Sequence, residues 1–377
     1  MGALDYNGQN IQKFVGTRQL GFEKRANQMH QVHLPENLQR VGFLSHLPDL
    51  LRRFGVDPFE VLAAAGLNAS ALDNPDGTIP YRAMGLLSQL ACEKTQCSHF
   101  GLEIGRQIRT DTLGLIGELM RNSPTLRVAL QNFAINQHRN AHGGVTYLLE
   151  DKVQAFFGYA VYQPDVPGQY LMCDGAAMGA FTIFSELAGT ALASALEVLL
   201  ARSEPGNVSH YRHSFGVKLT FNADQTAVVF PRRMLDQPIV GANVRRRILL
   251  EKRVQALWHA GDIDIVTQLR RELRVALIRG RFSATTIAEH LGMTRRTLDR
   301  RLDASGVNFQ EALDETRCEY AKQLLDCTRL QIAHIATIVG YADPSVLTRG
   351  FVRWAGVTPS QWRAKLGREA DTCTGVA

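Results

Sequence analysis

The sequence predicts an α+β domain followed by an all-α domain in which two helix-turn-helix motifs are joined by a linker helix. Three observations carry this. Helical patterning in the first part of the chain gives way after residue 144 to period-two stretches, and helices and strands segregated in this way belong to α+β domains. Near the C-terminus the chain says almost the same thing twice, Ile287-Ala288-Glu289-His290-Leu291-Gly292-Met293 and Ile335-Ala336-Thr337-Ile338-Val339-Gly340-Tyr341. Between the copies, Phe309 to Cys327 carries Leu313, Tyr320, Ala321, Leu324 and Leu325 at helical spacing without Gly or Pro. A chain of 377 residues has room for these two domains and a connector.

In order, residues 1–38 are polar with no sustained period and predict a mobile arm. Domain 39–241 opens with helices over Phe43 to Phe54, Pro58 to Ala65, Tyr81 to Glu93 and Thr112 to Arg121. Ser123-Pro124-Thr125-Leu126 opens another with an N-cap and a first-position Pro, running to about Arg139. The period then becomes two: Val145 to Leu149 and Val153 to Tyr159 flank Glu150-Asp151-Lys152 as a hairpin. A second hairpin is expected from Val217 to Phe221, turning through Asn222-Ala223-Asp224-Gln225 into Ala227 to Phe230. Helix-rich sequence from Gln169 to about Arg202 separates the two. Residues 242–261 form a charged connector helix ended by Gly261. Residues 262–366 begin with a helix from Ile263 to Ile278 whose Val266, Leu269, Leu273 and Leu277 form one stripe, and residues 367–377 are a tail.

In each repeated copy a short helix with an Ile-Ala pair runs into a Gly suited to the left-handed C-cap, then an apolar residue, then a second helix. Leu298 and Leu302 in the first copy, and Leu347 and Phe351 in the second, lie four apart on one face. The offset grows by one residue across the turn, so the second turn is longer. A helix-turn-helix puts its second helix in the major groove, and two readers on one face of DNA sit roughly 34 Å apart. The 309–327 helix supplies roughly 28 Å at 1.5 Å per residue. The expected contacts are Arg295, Arg296, Asp299 and Arg300 in the first reader, after a Thr294 cap, and Ser345, Thr348, Arg349 and Arg353 in the second, after Asp343-Pro344. Arg reads guanine and Asp accepts from cytosine, while Arg295 and Arg353 are better placed for phosphate. Residues 262–366 hold 16 Lys and Arg against 12 Asp and Glu, a surplus of 4 within the chain's +6, which alone would not establish nucleic-acid binding.

From about Asp262 to Lys365 the chain resembles the DNA-binding domain of the AraC/XylS family of bacterial transcription regulators. The resemblance rests on Ile335-Ala336, Val339-Gly340-Tyr341, Arg349-Gly350-Phe351, Trp354-Ala355-Gly356-Val357-Thr358-Pro359 and Trp362-Arg363. Tyr341 and Leu347 stand where that family more often has Phe, and Pro344 where it commonly has a polar residue. About Leu44 to Val240 is similar, more loosely, to the arabinose-binding-like sensor of one branch of that family, through Leu47-Pro48-Asp49-Leu50-Leu51, Gly114-Leu115-Ile116-Gly117 and Phe215-Gly216-Val217-Lys218-Leu219-Thr220-Phe221. The resemblance implies a sequence-specific, double-stranded-DNA-binding regulator, an activator by family habit, that answers to a small-molecule effector. RNA polymerase and a second copy of the chain are its implied further partners. The alternative is a constitutive DNA-binding protein whose N-terminal domain only dimerises.

Aromatic and polar residues around the hairpins, Phe133, His138, Phe156, Tyr159, Tyr211 and His213, are the expected effector contacts, against the alternative of a domain core with a dimer face. No catalytic residue is assigned: Asp174, Glu186 and the histidines 138, 142, 210 and 213 are scattered, and no Gly-x-Ser-x-Gly or phosphate-cradling loop occurs. No metal or other cofactor is expected, since neither Cys92, Cys97 and His99 nor His138 and His142 make a strong ligand set. The longest apolar candidate for a membrane span, Tyr170 to Ala201, is interrupted by Asp174, Glu186 and Glu197, and the N-terminus does not read as a signal peptide. A cytoplasmic protein is expected.

Overall fold

The computed structural model describes residues 38–365, apart from 138–140, 164, 190–193, 260–263 and 280–282. The expected arm, apart from Leu38, and the tail lie outside that set. The expected arm boundary falls one residue late, because Leu38–Arg40 is a strand, β1, paired antiparallel with β2, Thr78–Pro80. Around this pair lie α1 (Leu47–Arg53), α2 (Pro58–Ala64) and α3 (Tyr81–Thr95). The helix expected from Phe43 to Phe54 is divided, with a 3-10 turn over Gly42–His46 before α1, whose Pro48 suits a helix start and not an interior. Next come α4 (Phe100–Gly105), α5 (Leu115–Arg121) and α6 (Leu126–Asn136), the last capped by the Thr125 side chain on Val128 N, so that Pro124 precedes the helix and does not hold its expected first position. The sequence reading missed α4.

A five-stranded sheet follows. Strands β3 (Gly144–Glu150) and β4 (Gln154–Val161) form the expected hairpin, with Leu148 opposite Phe157. The long helix α7 (Gln169–Ala188) packs on the sheet. It is long and apolar enough to cross a membrane, yet Leu171, Met178 and Phe184 are buried in the fold. Its interrupting acids are paired, Asp174 with Arg202 and Glu186 with Arg109. The remaining elements of this part are β5 (Glu197–Leu199), α8 (Ser209–Phe215), β6 (Lys218–Thr220) and β7 (Thr226–Pro231). The second expected hairpin does not form. The sheet order is β3-β4-β7-β5-β6, so β5 separates β7 from β6 and runs parallel to β6. β5 also takes the end of the stretch expected to be helical up to Arg202. Three residues are too few for a period to show, and the partners they find are distant in sequence.

The reader begins after α9 (Val244–His259), with α10 (Ile265–Arg279), α11 (Ala284–His290), α12 (Arg295–Ala304), α13 (Phe309–Cys327), α14 (Ile332–Ile338) and α15 (Pro344–Ala355). Both motif glycines take the expected left-handed conformation, Gly292 at φ 71° and Gly340 at φ 81°. Each turn closes with the same five-residue bond, Met293 N to Ala288 O and Tyr341 N to Ala336 O. Thr294 caps α12 through Thr297 N, and Asp343 caps α15 through Ser345 N. Asn308 and Glu311 form a reciprocal capping box at the start of α13.

The two faces of the sheet have different neighbours. Ala155, Phe157, Val228 and Phe230 point to the helical layer of the first domain. On the other face Val145, Tyr147, Leu149 and Ala160 share one apolar core with Tyr320, Leu324, Leu330, Ile335 and Phe351 of the reader. Gly158 permits this, because a Cβ there would meet the Tyr147 ring at 2.3 Å.

Candidate nucleic-acid interface and cavity

On α12 the inward Leu298 and Leu302 are fully buried, which turns Arg296, Arg300 and Arg301 to solvent. Arg295 and Asp299 lie on a flank. The Arg295 Nε donates to both carboxylate oxygens of Asp299 at 2.8 Å, and its guanidinium stacks 4.8 Å from the Phe309 ring at the start of α13. Each is thus occupied by the other, and neither stands free toward a groove as the sequence suggested. On α15, Leu347 and Phe351 are buried, while Ser345 and Arg349 are exposed neighbours, Arg349 donating to the Ser345 hydroxyl at 3.4 Å. The Thr348 hydroxyl donates to the Pro344 carbonyl in the preceding turn. Arg353 donates to Asp314 of α13 at 2.6 Å, so this exposed guanidinium ties the second reader to the linker helix. Val346, 37 % exposed beside Ser345, is an apolar group that sequence reasoning missed. An exposed Val at the third position after the cap is the signal that would have found it.

The expected effector residues are dispersed. Phe133 and Tyr159 line one cavity of about 90 Å³ between α6, α7 and the inner face of the sheet. Phe156 is on the opposite face, packed against the reader core, because side chains alternate along β4 and its neighbour Phe157 takes the inward position. Tyr211 is buried elsewhere, donating to Asp174 Oδ2 at 2.7 Å, a carboxylate that also accepts from Arg202 at 2.7 Å. Burial holds the Asp174 carboxyl above the usual range against the pull of Arg202 and Tyr211. His213 is exposed on α8, and His138 lies outside the described residues.

Most polar side chains of the cavity are already partnered. Tyr159 shares a 2.5 Å hydrogen bond with the Tyr81 hydroxyl, and burial pushes both phenols up, so both stay neutral. Ser88 donates to Met84 O, Gln39 to Arg40 O, and Thr226 accepts from Ala201 N. Among the cavity's described side chains two buried atoms have no partner, Gln137 Oε1 and Thr146 Oγ1. Sequence reasoning missed both residues. Thr146 has a further connection, since its backbone carbonyl accepts a 3.2 Å hydrogen bond from the Tyr320 hydroxyl of α13. The reader is also held at the β6–β7 turn, where Arg329 donates to the carbonyls of Asn222 and Ala223 at 2.9 and 2.8 Å.

Comparison with known proteins agrees with this two-part architecture. Residues 55–239 match the family described as the arabinose-binding domain of AraC transcription regulator, N-terminal, and residues 287–365 match a helix-turn-helix domain. The chain is 28 % identical over 330 residues to the ornithine utilization regulator of Pseudomonas aeruginosa, covering 86 % of this chain and 95 % of that one. It is 26 % identical over 324 residues to the HTH-type transcriptional regulator VirS of Mycobacterium tuberculosis, covering 84 % and 93 %. A crystal structure of the regulator CdpR from Pseudomonas aeruginosa aligns with a TM-score of 0.36 at 25 % identity, over 70 % of this chain and 86 % of that one. With an arabinose-binding-type N-terminal domain, a C-terminal helix-turn-helix region and full-length relatives named as regulators, this chain is a DNA-binding transcription regulator of the AraC/XylS family.

Proposed function

We propose that this regulator is switched by a small molecule held in the cavity beneath β3, and that the signal passes through the sheet to the reader. The observation that carries this is Thr146, whose side chain lines the cavity while its carbonyl receives the Tyr320 hydroxyl of the linker helix. A ligand that reorders this strand has a different interaction energy with each arrangement of the reader, which is what a coupling between sites requires. In the reader, Arg296 and Arg300 on α12 and Ser345 and Arg349 on α15 are assigned to base edges, with Val346 suited to a thymine methyl. The Arg295 guanidinium, stacked on Phe309, and the Arg353–Asp314 pair hold the readers on the linker helix. Activation, contact with RNA polymerase and pairing with a second copy are what the family resemblance implies.

The test is a metabolite screen on the full-length chain, scored first by thermal stability and then by DNA affinity on a selected site. At a hundredfold excess over Kd an effector adds about 2.7 kcal/mol to stability, and it is expected to shift DNA affinity roughly 5- to 150-fold. Tyr320→Phe should keep the stabilisation and lose most of the shift in DNA affinity. A stabilising ligand that leaves DNA affinity untouched, or acts equally on Tyr320→Phe, defeats the proposed route. A chain that no compound stabilises favours a constitutive dimeric regulator.

A further inference from the structure

Resting on that reading of the cavity, the geometry points to the chemical class of its ligand. We infer that it takes an uncharged, mostly apolar small molecule with one hydrogen-bonding end, a hydroxyl or a primary amide.

Three observations lead there. First, the wall is hydrocarbon, drawn from Met84, Ile104, Leu113, Phe133, Phe157 and Ile183. Among the described lining residues there is no Asp, Glu, Lys, Arg or His. An ion moved there would lose its hydration with no opposite charge to replace it, a cost far above that of a neutral polar group. The ion pair of buried Asp174 with half-buried Arg202 lies in a neighbouring recess with Tyr170 and Cys327 that shares Tyr159 and Thr226 with the cavity, and its two charges already satisfy each other.

Second, the polar atoms left over describe the ligand's polar end. Ser88, Gln39, Thr226 and Tyr159 all have partners within the protein. Only Gln137 Oε1 and Thr146 Oγ1, on residues 8 % and 3 % exposed, lack one among the cavity's described side chains. A buried acceptor without a donor carries a free-energy cost that a suitable partner removes. The Gln137 oxygen accepts only, so the ligand must bring an N–H or O–H. The Thr146 hydroxyl both donates and accepts, so it accommodates either a hydroxyl or an amide. A carboxylate brings no donor to Gln137, and an alkylammonium brings a charge with no counter-ion.

Third, the volume limits size. About 90 Å³ is well below the roughly 300–1,000 Å³ of sites for drug-sized ligands, and below the roughly 150 Å³ cavity known to admit benzene. The fit is to a compound smaller than a six-atom ring, on the order of four or five heavy atoms, such as a short aliphatic alcohol.

The experiment uses the full-length chain with 1-propanol, propionamide, propionate and n-propylammonium as matched probes, followed by thermal shift and by DNA binding. The alcohol and amide should stabilise the chain saturably, and the two ions should not. Thr146→Val and Gln137→Met should each weaken alcohol binding about three- to tenfold, the effect of one neutral hydrogen bond. Without ligand, Thr146→Val should be as stable as the wild type or more so, because it removes an unpartnered hydroxyl; a purely structural Thr146 would instead be missed. Stabilisation by propionate or propylammonium as strong as by the alcohol overturns the inference. So does alcohol binding unchanged in both variants, or no saturable binding by either neutral probe, which would leave the cavity a water site only. The two claims separate cleanly: a neutral ligand that binds without altering DNA affinity removes the switch and keeps the ligand class. A charged compound that alters DNA affinity through residues of this cavity does the reverse.

Discussion

Arg296 and Arg349 are the residues whose loss should say most about DNA reading, because each projects from a second motif helix with its core side chain, Leu298 or Leu347, fully buried behind it. Replacing either by Ala is expected to cost about 1–3 kcal/mol on the best site and to relax base preference at one half-site only. Arg353→Ala is a contrasting case. Its guanidinium serves Asp314, so the substitution should lower the stability of the second motif and weaken all sequences about equally. Competition binding against a randomised site library distinguishes these outcomes, and an unchanged sequence preference for Arg296→Ala would refute the assignment of α12. At this scale the sequence was a partial guide. It named Arg296, Arg300, Ser345 and Arg349 correctly as outward-facing, because helical spacing from a buried Leu fixes the opposite face. It did not foresee that Arg295 and Asp299 would satisfy each other, since a pair four residues apart on one helix is free to meet whenever no ligand competes.

Each helix-turn-helix depends on its glycine and its cap, and these were legible because both are local. Gly340 sits at φ 81°, and a Cβ there would also lie 3.2 Å from Leu277 Cδ2 of α10. Gly340→Ala is therefore expected to destabilise the chain by about 1–2 kcal/mol from the left-handed backbone alone. Removing the α12 cap with Thr294→Ala should cost about 1 kcal/mol. Chemical denaturation measures both, and a neutral Gly340→Ala would contradict the turn described. The sheet was less legible. β3 and β4 were found because seven and eight residues give alternation time to show. The β6–β7 hairpin was misread because β5, only Glu197–Leu199, inserts between them through pairing that no short-range signal announces. The same alternation hid the cavity. Phe156 and Phe157 are equivalent in sequence, and only the packing of the two faces decides which points inward. Thr146, a hydroxyl in an apolar strand at an inward position, was the available clue.

For the whole molecule, the shared core of the outer sheet face and the second motif sets how the parts behave together. Residues 262–366 cut free retain both motifs and should bind DNA with affinity falling steeply as salt rises, through counterion release from phosphates. They should also expose the surface formed by Tyr320, Leu324 and Ile335, which the strands otherwise cover. The fragment is accordingly expected to melt lower than the full-length chain and to self-associate with concentration, as calorimetry and sedimentation would record. A fragment that is monomeric and as stable as the intact protein would refute the common core.

That core bears on how such regulators exchange parts. A head joined only by a tether is transferable, since nothing else must match it. Here a cut at α9 would bring in helices shaped against some other strand pair, while Val145, Tyr147 and Leu149 waited for the surface of α13 and α14. A working chimera must therefore carry the outward residues of β3 and β4 together with the head. Within this lineage sensor wall and reader should pass on as a matched set.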